Sequence, residues 1–343
     1  MDQFFRKINR QFSKRIIICC DGTWDSPRSD SPTNVLKLAR AISPMDSDEK
    51  KQVVFYDWGV GSDRWTLLGG LFGVGLDKNI RDAYRFIVHN YEIGDELFLF
   101  GFSRGSFTVR SLAGFIYNIG ILRRLHADKI LDAYHFYRNE FKPNATESID
   151  YRQKYSVTYR TEIKFMGIWD TVGSLGIPVS FVGFKSTKFR FHDTDLSPII
   201  LCARHAVSID EQRKNFRPVL WNSKSEQNVR QVWFAGVHAD VGGGYQTSDL
   251  SDITLKWMIG EAAAQGLSVE DHLNTNLKPD SLGAIHESHS RWWKLLGKFH
   301  RTIGSGEEDY LHNAVKIRYA TLDDYQPSNL KAYVLKHRWH NLV

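Results

Sequence analysis

A serine flanked by glycines, Gly101-Phe102-Ser103-Arg104-Gly105, follows the apolar run Leu97 to Phe100 and precedes a segment with helical periodicity. G-x-S-x-G is short enough to arise by chance, so its meaning comes from that strand-then-helix setting. A turn tight enough to present a serine hydroxyl strains the backbone, and side chains two positions away on either side collide with it. Glycine at 101 and 105 removes both collisions. The hydroxyl then projects beside the first N–H groups of a helix, which favour an oxyanion, and the N–H of Arg104 is a natural donor. Ser103 therefore reads as a nucleophile for acyl transfer. The plain alternative is a polar residue where a strand turns.

A serine nucleophile needs a base, and the base needs a carboxylate to orient it. The strand-like run "IKFMGIWD" ends in Asp170, and "VRQVWFAGVH" ends in His238. Ser103, Asp170, His238 is the chain order of nucleophile, acid and histidine in α/β-hydrolases. Rival imidazoles are His286, His289, His312 and His205, the last in a helical pattern beside Asp210, Glu211 and Arg213. Asp193 and Asp195 are rival carboxylates in a polar loop with no strand to fix them. Upstream, "RIIICCDGTWD" ends a strand in Asp21-Gly22-Thr23, where the N–H of Gly22 or Thr23 supplies a second oxyanion donor. Asp21 either braces that loop as an Asx turn or lies beside the substrate together with Phe102.

Other chemistries are open to the same residues. Asp21, Asp170, His238 and Asp240 could gather a hard cation for metal-dependent phosphoester hydrolysis. The serine reading needs no metal and no cofactor. Asp-Gly-Thr after an apolar strand also occurs in haloacid-dehalogenase-like phosphatases, whose nucleophilic aspartate lies two positions earlier; here that position is Cys19. A non-enzymatic scaffold is the remaining reading.

The elements that must position these residues alternate along the chain. Strand-like runs "RIIICC", "QVVFYD", "ELFLFG", "IKFMGIWD" and "VRQVWFAGVH" are apolar and largely continuous, as strands covered on both faces are. Helical patterns "TNVLKLARAI", "NIRDAYRFIVHNY" and "SFTVRSLAGFIYNIG" lie between them. Strand and helix in alternation predict an α/β fold, a three-layer arrangement around a mostly parallel sheet, with reacting groups at the carboxyl ends of the strands. The expected organisation is a basic amphipathic segment over 1–14 and a single domain over 15–343, elaborated near 172–200 and 270–310. In the first segment Phe4, Phe5, Ile8 and Phe12 recur among Arg6, Lys7, Arg10, Lys14 and Arg15. It reads as a helix packed on the domain edge or lying on a membrane surface.

The chain has 343 residues, 42% of them hydrophobic, enough to bury a large core. A formal net charge of +6, dispersed along the sequence, leans weakly towards an anionic partner such as phospholipid; nucleic-acid binding has nothing else behind it. Only three cysteines occur, so no disulfide framework is expected, and folding in a reducing compartment is. No apolar stretch approaches the length of a transmembrane helix, and the N-terminus lacks the apolar core of a signal peptide. The expected location is the cytoplasm, with export by a non-classical route or peripheral attachment to a membrane as the alternatives.

With these residues in place, the chain resembles the α/β-hydrolase catalytic domain of type VI secretion phospholipase effectors. "CCDGTWDSPRSDSPTNVLKLARAI", "GFSRGS", "GIWDTVGSLG", "RHAVSIDEQRKNFRPVLW" and "HADVGGGYQTSDL" run in that family's order over about 15–265. The resemblance implies a Ser103–Asp170–His238 triad acting on phospholipid esters, and, for an exported effector, secretion-apparatus or immunity-protein partners. Little length is left for the large membrane-anchoring region those effectors often carry. A lipase must lift an acyl chain from a bilayer, and two segments have the composition for it. "IPVSFVGFKSTKFRF", with Phe181 and Phe184, is expected to line the acyl pocket. "RWWKLLGKFHR", with Trp292, Trp293, Lys294, Lys298 and Arg301, is expected to dock on lipid.

Overall fold

The computed structural model describes residues 13–22, 30–59, 71–139, 141–172, 195–222, 226–288, 298–304, 306–339 and 341–343. Among the described residues seven strands form one sheet: β1 (Arg15–Cys20), β2 (Gln52–Asp57), β3 (Glu96–Phe102), β4 (Phe165–Trp169), β5 (Cys202–Ser208), β6 (Asn228–Phe234) and β7 (Asp309–Leu311). Their order is β2-β1-β3-β4-β5-β6-β7, and every pairing is parallel. Because all strands point one way, their carboxyl ends share one edge of the sheet.

Continuous apolar strands are what two covered faces require. In β1, Ile16, Ile18 and Cys20 pack with Leu97, Leu99, Met166 and Ile168 under α2 (Leu71–Asn90), α3 (Arg104–Ile119) and α4 (Ile130–Arg138). The alternate residues, Ile17, Cys19, Phe98, Phe100, Phe165 and Trp169, meet α1 (Asn34–Ala41) on the other face. That face is completed, past α5 (Thr146–Tyr155) and the short α6 (His238–Gly242), by α7 (Asp249–Ala263) and α8 (Asp271–Asn276). A third cluster joins Val207, Trp233 and Leu311 to α9 (Asn313–Thr321) and α10 (Ser328–His337) beside the β7 edge. The period-two pattern is real, but both phases are apolar, so the sequence hides it.

The fold is the expected α/β three-layer class, with differences in detail. "LCARHAVS" is β5, a strand central to the sheet, so His205 lies in a strand and not in the helical pattern the sequence suggested. The run contains Arg204 and His205, and two charged-capable residues masked its strand character; both are buried and bonded. The strand-and-helix pattern in the sequence does not include α5, which is polar along most of its length. The basic segment 1–14 lies outside the described residues up to position 12. Among the described residues no helix is long and apolar enough to cross a membrane.

Candidate active site

Ser103 stands between β3 and α3 with φ 56° and ψ −116°, a left-handed conformation that a non-glycine residue adopts only under constraint. The constraint is visible on both sides. A Cβ on Gly101 would lie 2.6 Å from the Ser106 nitrogen, and one on Gly105 would overlap the carbonyl oxygen of Cys20 in β1. Ser106 Oγ donates to the carbonyls of Gly101 and Trp169 at 2.8 and 3.0 Å, and Ser103 N–H donates to Trp169 O at 3.0 Å. These bonds stitch the turn to β4. Arg104 opens α3, and the first N–H groups of a helix have no partner within it.

Asp170 is the residue after β4 and is also held at positive φ, 36°. Trp169 pairs in register with Phe102, so the acid and the serine leave neighbouring strands at the same level. His238 follows β6 after a three-residue turn and opens α6. Its Nδ1 donates to Asp170 Oδ2 at 2.5 Å. The imidazole lies between two rings, Phe102 at 4.7 Å and Phe216 at 4.9 Å between centroids. Its backbone N–H donates to Glu211 Oε2 at 3.3 Å. With Nδ1 committed to the carboxylate, Nε2 is the nitrogen left for proton transfer. All three residues are buried, Asp170 completely.

The glycines after His238 have specific work. A Cβ on Gly242 would run into the Phe102 ring, and Gly243, at φ 84°, would place one 2.7 Å from the Asn34 nitrogen. Asn34 Nδ2 donates in turn to Val241 O, Ser251 O and Thr254 Oγ1 at 2.9–3.0 Å. The start of α1 therefore clamps the loop that carries His238.

Electrostatics set the protonation states. Burial alone would raise the Asp170 carboxyl, but the Arg301 guanidinium and the His238 bond outweigh it and hold it well below the usual carboxylate range. Burial pushes the His238 imidazole down, partly offset by Asp170. His238 is thus neutral and Asp170 ionised at neutral pH, the states a base and its orienting acid require.

The remaining candidate residues have these surroundings. Asp21 is buried, and its carboxylate accepts from Gly22 N–H at 2.9 Å, from Tyr56 OH at 2.9 Å and from Thr33 Oγ1. It braces the loop and the N-cap of α1. The Gly22 N–H is committed to that carboxylate. The Phe102 ring is buried, with its centroid 4.7 Å from that of the His238 imidazole. Asp21, Asp170, His238 and Asp240 do not converge into a cation site, since Asp240 Oδ1 pairs with His286 Nδ1 at 2.6 Å and Asp170 is taken by Arg301. Among the described residues no group of three or more such ligands is arranged for a metal. His205 is a structural imidazole: Nε2 accepts from Thr171 N–H at 3.2 Å and Nδ1 faces Gln231 Oε1 at 3.4 Å. Arg301, assigned to a lipid-docking segment, has a fully buried side chain. Lys298 is exposed beside it, while Trp292, Trp293 and Lys294 lie outside the described residues, as do Thr23, Phe181, Phe184, Asp193 and His289. Sequence reasoning missed the places of Phe216, in a 3-10 turn, and Glu211 beside His238, and of Arg301, 131 positions from Asp170.

Residues 14–261 match the family model "T6SS, Phospholipase effector Tle1-like, catalytic domain". Uncharacterized protein YEL023C of Saccharomyces cerevisiae is 32% identical over 228 residues, covering 60% of this chain and 32% of its own. The chain therefore spans about a third of the length of that curated relative. An uncharacterized protein from Pseudomonas aeruginosa has the same fold at a TM-score of 0.50 and 16% identity, over 81% of this chain and 50% of the other. The Tle1 effector bound to the VgrG spike of the type 6 secretion system overlays at a TM-score of 0.41 with 18% identity, over 69% of this chain and 52% of that one.

Proposed function

Because the chain belongs to the Tle1-like phospholipase-effector catalytic-domain family, we propose that it is a serine hydrolase that cleaves carboxylic esters of membrane phospholipids. The observation that carries this reading is the strained Ser103 at the head of α3, level with a His238–Asp170 pair bonded at 2.5 Å. A strained serine costs on the order of 1–3 kcal/mol and persists where its surroundings over-determine it, a pattern concentrated at reacting centres.

In this reading His238 Nε2 takes the proton of Ser103 as Oγ attacks the ester carbonyl. Asp170 holds the imidazole tautomer and stabilises the imidazolium that forms. The N–H of Arg104 holds the oxyanion; with Gly22 N–H given to Asp21, Thr23 supplies the second donor. His238 returns the proton to the leaving alcohol, and water then releases the acyl group by the same steps in reverse. No metal or cofactor takes part. Phospholipid, as a surface or as dispersed molecules, is the partner; the acyl pocket is assigned to 177–191 around Phe181 and Phe184. If the chain is exported as an effector, contacts with a secretion apparatus and an immunity protein belong to the same reading.

Ser103→Ala tests it. Hydrolysis of phospholipid and of a short-chain ester should fall by about three orders of magnitude or more, with labelling by a fluorophosphonate abolished. Near wild-type turnover in Ser103→Ala would overturn the serine reading. A lipidomic comparison of membranes treated with each form identifies the bond cleaved.

A further inference from the structure

Arg301 lies between Lys298 and Ile303 in a segment beyond the 14–261 that matches the family model. Its side chain is fully buried, as is that of its partner Asp170. Nη1 donates to Asp170 Oδ1 at 2.6 Å and Nη2 to Oδ2 at 2.9 Å, a bidentate pair. The same two nitrogens reach outward to Ser208 O at 2.9 Å, at the end of β5, and to Phe216 O at 2.6 Å. Phe216 is one of the rings that flank the imidazole.

The carboxylate's own geometry completes the picture. Oδ1 accepts from Arg301 and from Ser208 N–H at 3.0 Å; Oδ2 accepts from Arg301 and from His238 Nδ1. A carboxylate offers about four such positions, and all are filled. A planar fork fixes the plane of the carboxylate, and that plane fixes where Nδ1, and so Nε2, must lie. A buried charge left alone is costly, whereas here the cation and the anion are interred together.

We propose that Arg301 is a positioning residue of the catalytic centre, a fourth member that clamps Asp170 and, through Phe216, the imidazole of His238. The inference rests on the serine-hydrolase reading. It makes the C-terminal segment part of the active site although that segment lies outside the family-matched region.

The charges facing His238 come from several elements. Asp170 follows β4; Glu211 and Arg213 lie beyond β5; Arg301 enters from the C-terminal segment; His205 on β5 feels both Asp170 and Arg301. Of these, Arg301 is the cation bonded to the carboxylate that His238 uses. Removing it leaves the Asp170 charge uncompensated, so the imidazole should hold its proton more tightly.

The test uses the full chain with Arg301→Met and Arg301→Lys, normalised by fluorophosphonate titration of active sites. In Arg301→Met, kcat per titrated site should fall about ten- to a thousandfold with KM within a few-fold, and the acid limb of kcat/KM should move up by about one pH unit. Arg301→Lys keeps the charge without the fork, so it should restore the acid limb more fully than kcat. A folded Arg301→Met with wild-type kcat and acid limb overturns the clamp. NMR titration of the His238 imidazole, assigned with His238→Gln, gives a readout independent of turnover. If Arg301→Met does not fold, that titration in Arg301→Lys decides: an unchanged imidazole midpoint together with unchanged kcat overturns the proposal. Esterase activity that survives in Ser103→Ala would sink the hydrolase reading while leaving the imidazole shift to be judged separately.

Discussion

Asp170 carries two obligations at once, and substitution there exposes both. Asp170→Asn turns the wrong tautomer of His238 towards Ser103, and kcat should fall by roughly four orders of magnitude. Asparagine is nearly isosteric with aspartate, so the change adds no bulk. The structure adds Arg301, fully buried and then without its anion, so the variant should also lose about 3 kcal/mol of stability, read as a drop in Tm. An Asp170→Asn protein with wild-type Tm would show that the ion pair is not held in the way its distances imply. His238 itself is lowered by burial. Catalysis needs its neutral form, so activity is present above the folded pKa and lost as pH falls through it. The acid limb of kcat/KM should therefore lie below the ordinary imidazole value near 6.5; a limb at or above that value would contradict the environment drawn around the ring. Gly105 is the most constrained position of the elbow. Gly105→Ala must push α3 away from the Cys20 carbonyl, and soluble, active protein from that variant would be unexpected.

At the scale of elements, β5 is one of two strands the sequence concealed, with β7, and it supplies a second buried imidazole. Burial, with the Arg110 charge, pushes His205 down to about 3, against 6.5 when free. The fold therefore prefers neutral His205, and that preference is fully present above pH 6.5. It is lost as pH falls below 6.5, at about 1.4 kcal/mol per pH unit, until the folded value is reached. His312, lowered to about 4 by burial, acts the same way. Asp210, raised by burial to about 6, acts oppositely between about 6 and 4 because the fold takes up its proton first. His205→Gln should accordingly flatten the decline of Tm between pH 6.5 and 4.5, whatever it does to Tm at neutral pH. An unchanged slope in thermal melts would mean His205 is protonated or solvated in the fold. The same strand ends at Ser208, whose N–H and carbonyl hold Asp170 and Arg301, so this structural imidazole and the site share one support.

For the whole molecule, the family-matched region 14–261 ends before Arg301, the ion-pair partner of Asp170. A truncation after residue 265 keeps Ser103, Asp170, His238 and the full 14–261 match. It removes Arg301, leaving a buried carboxylate unpaired, and it removes β7, exposing the β6 edge with Val232 and Trp233. It also strips the cluster in which Val207 and Trp233 pack against Leu311, Val315 and Leu330. The truncated chain should be insoluble or inactive; esterase activity retained per molecule would refute the C-terminal segment's place in the centre. The lipid-docking idea changes too, since Arg301 is interior and cannot meet a membrane. Of the basic residues assigned to docking, Lys298 and Lys294 remain, and replacing both with Gln should weaken binding to anionic liposomes by roughly 1–2 kcal/mol.

The strained turn at Ser103, the chain order of Ser103, Asp170 and His238 and the alternation that makes a parallel α/β sheet are written locally. A strained turn needs its own glycines, and a buried strand needs its own apolar residues. Gly101, Gly105, the run before Ser103 and the strand ends at Asp170 and His238 could therefore be read without knowing what lay across the fold. What Asp21, Phe102 and Arg301 do could not be read that way. Each sits in a segment whose composition fits a binding role: a polar loop, an aromatic next to a nucleophile, a basic aromatic stretch. Burial decides between their readings: Asp21 takes the bracing one of its two, Phe102 packs against the His238 imidazole, and Arg301 becomes a counter-ion instead of a docking cation. Burial depends on which distant segments meet: Asp170 and Arg301 are 131 positions apart, and no spacing rule links a strand end to a loop at that separation. The sequence determines which groups can react. Tertiary structure decides which charges are taken out of water together, because only the folded chain sets the local dielectric that makes such a pairing obligatory.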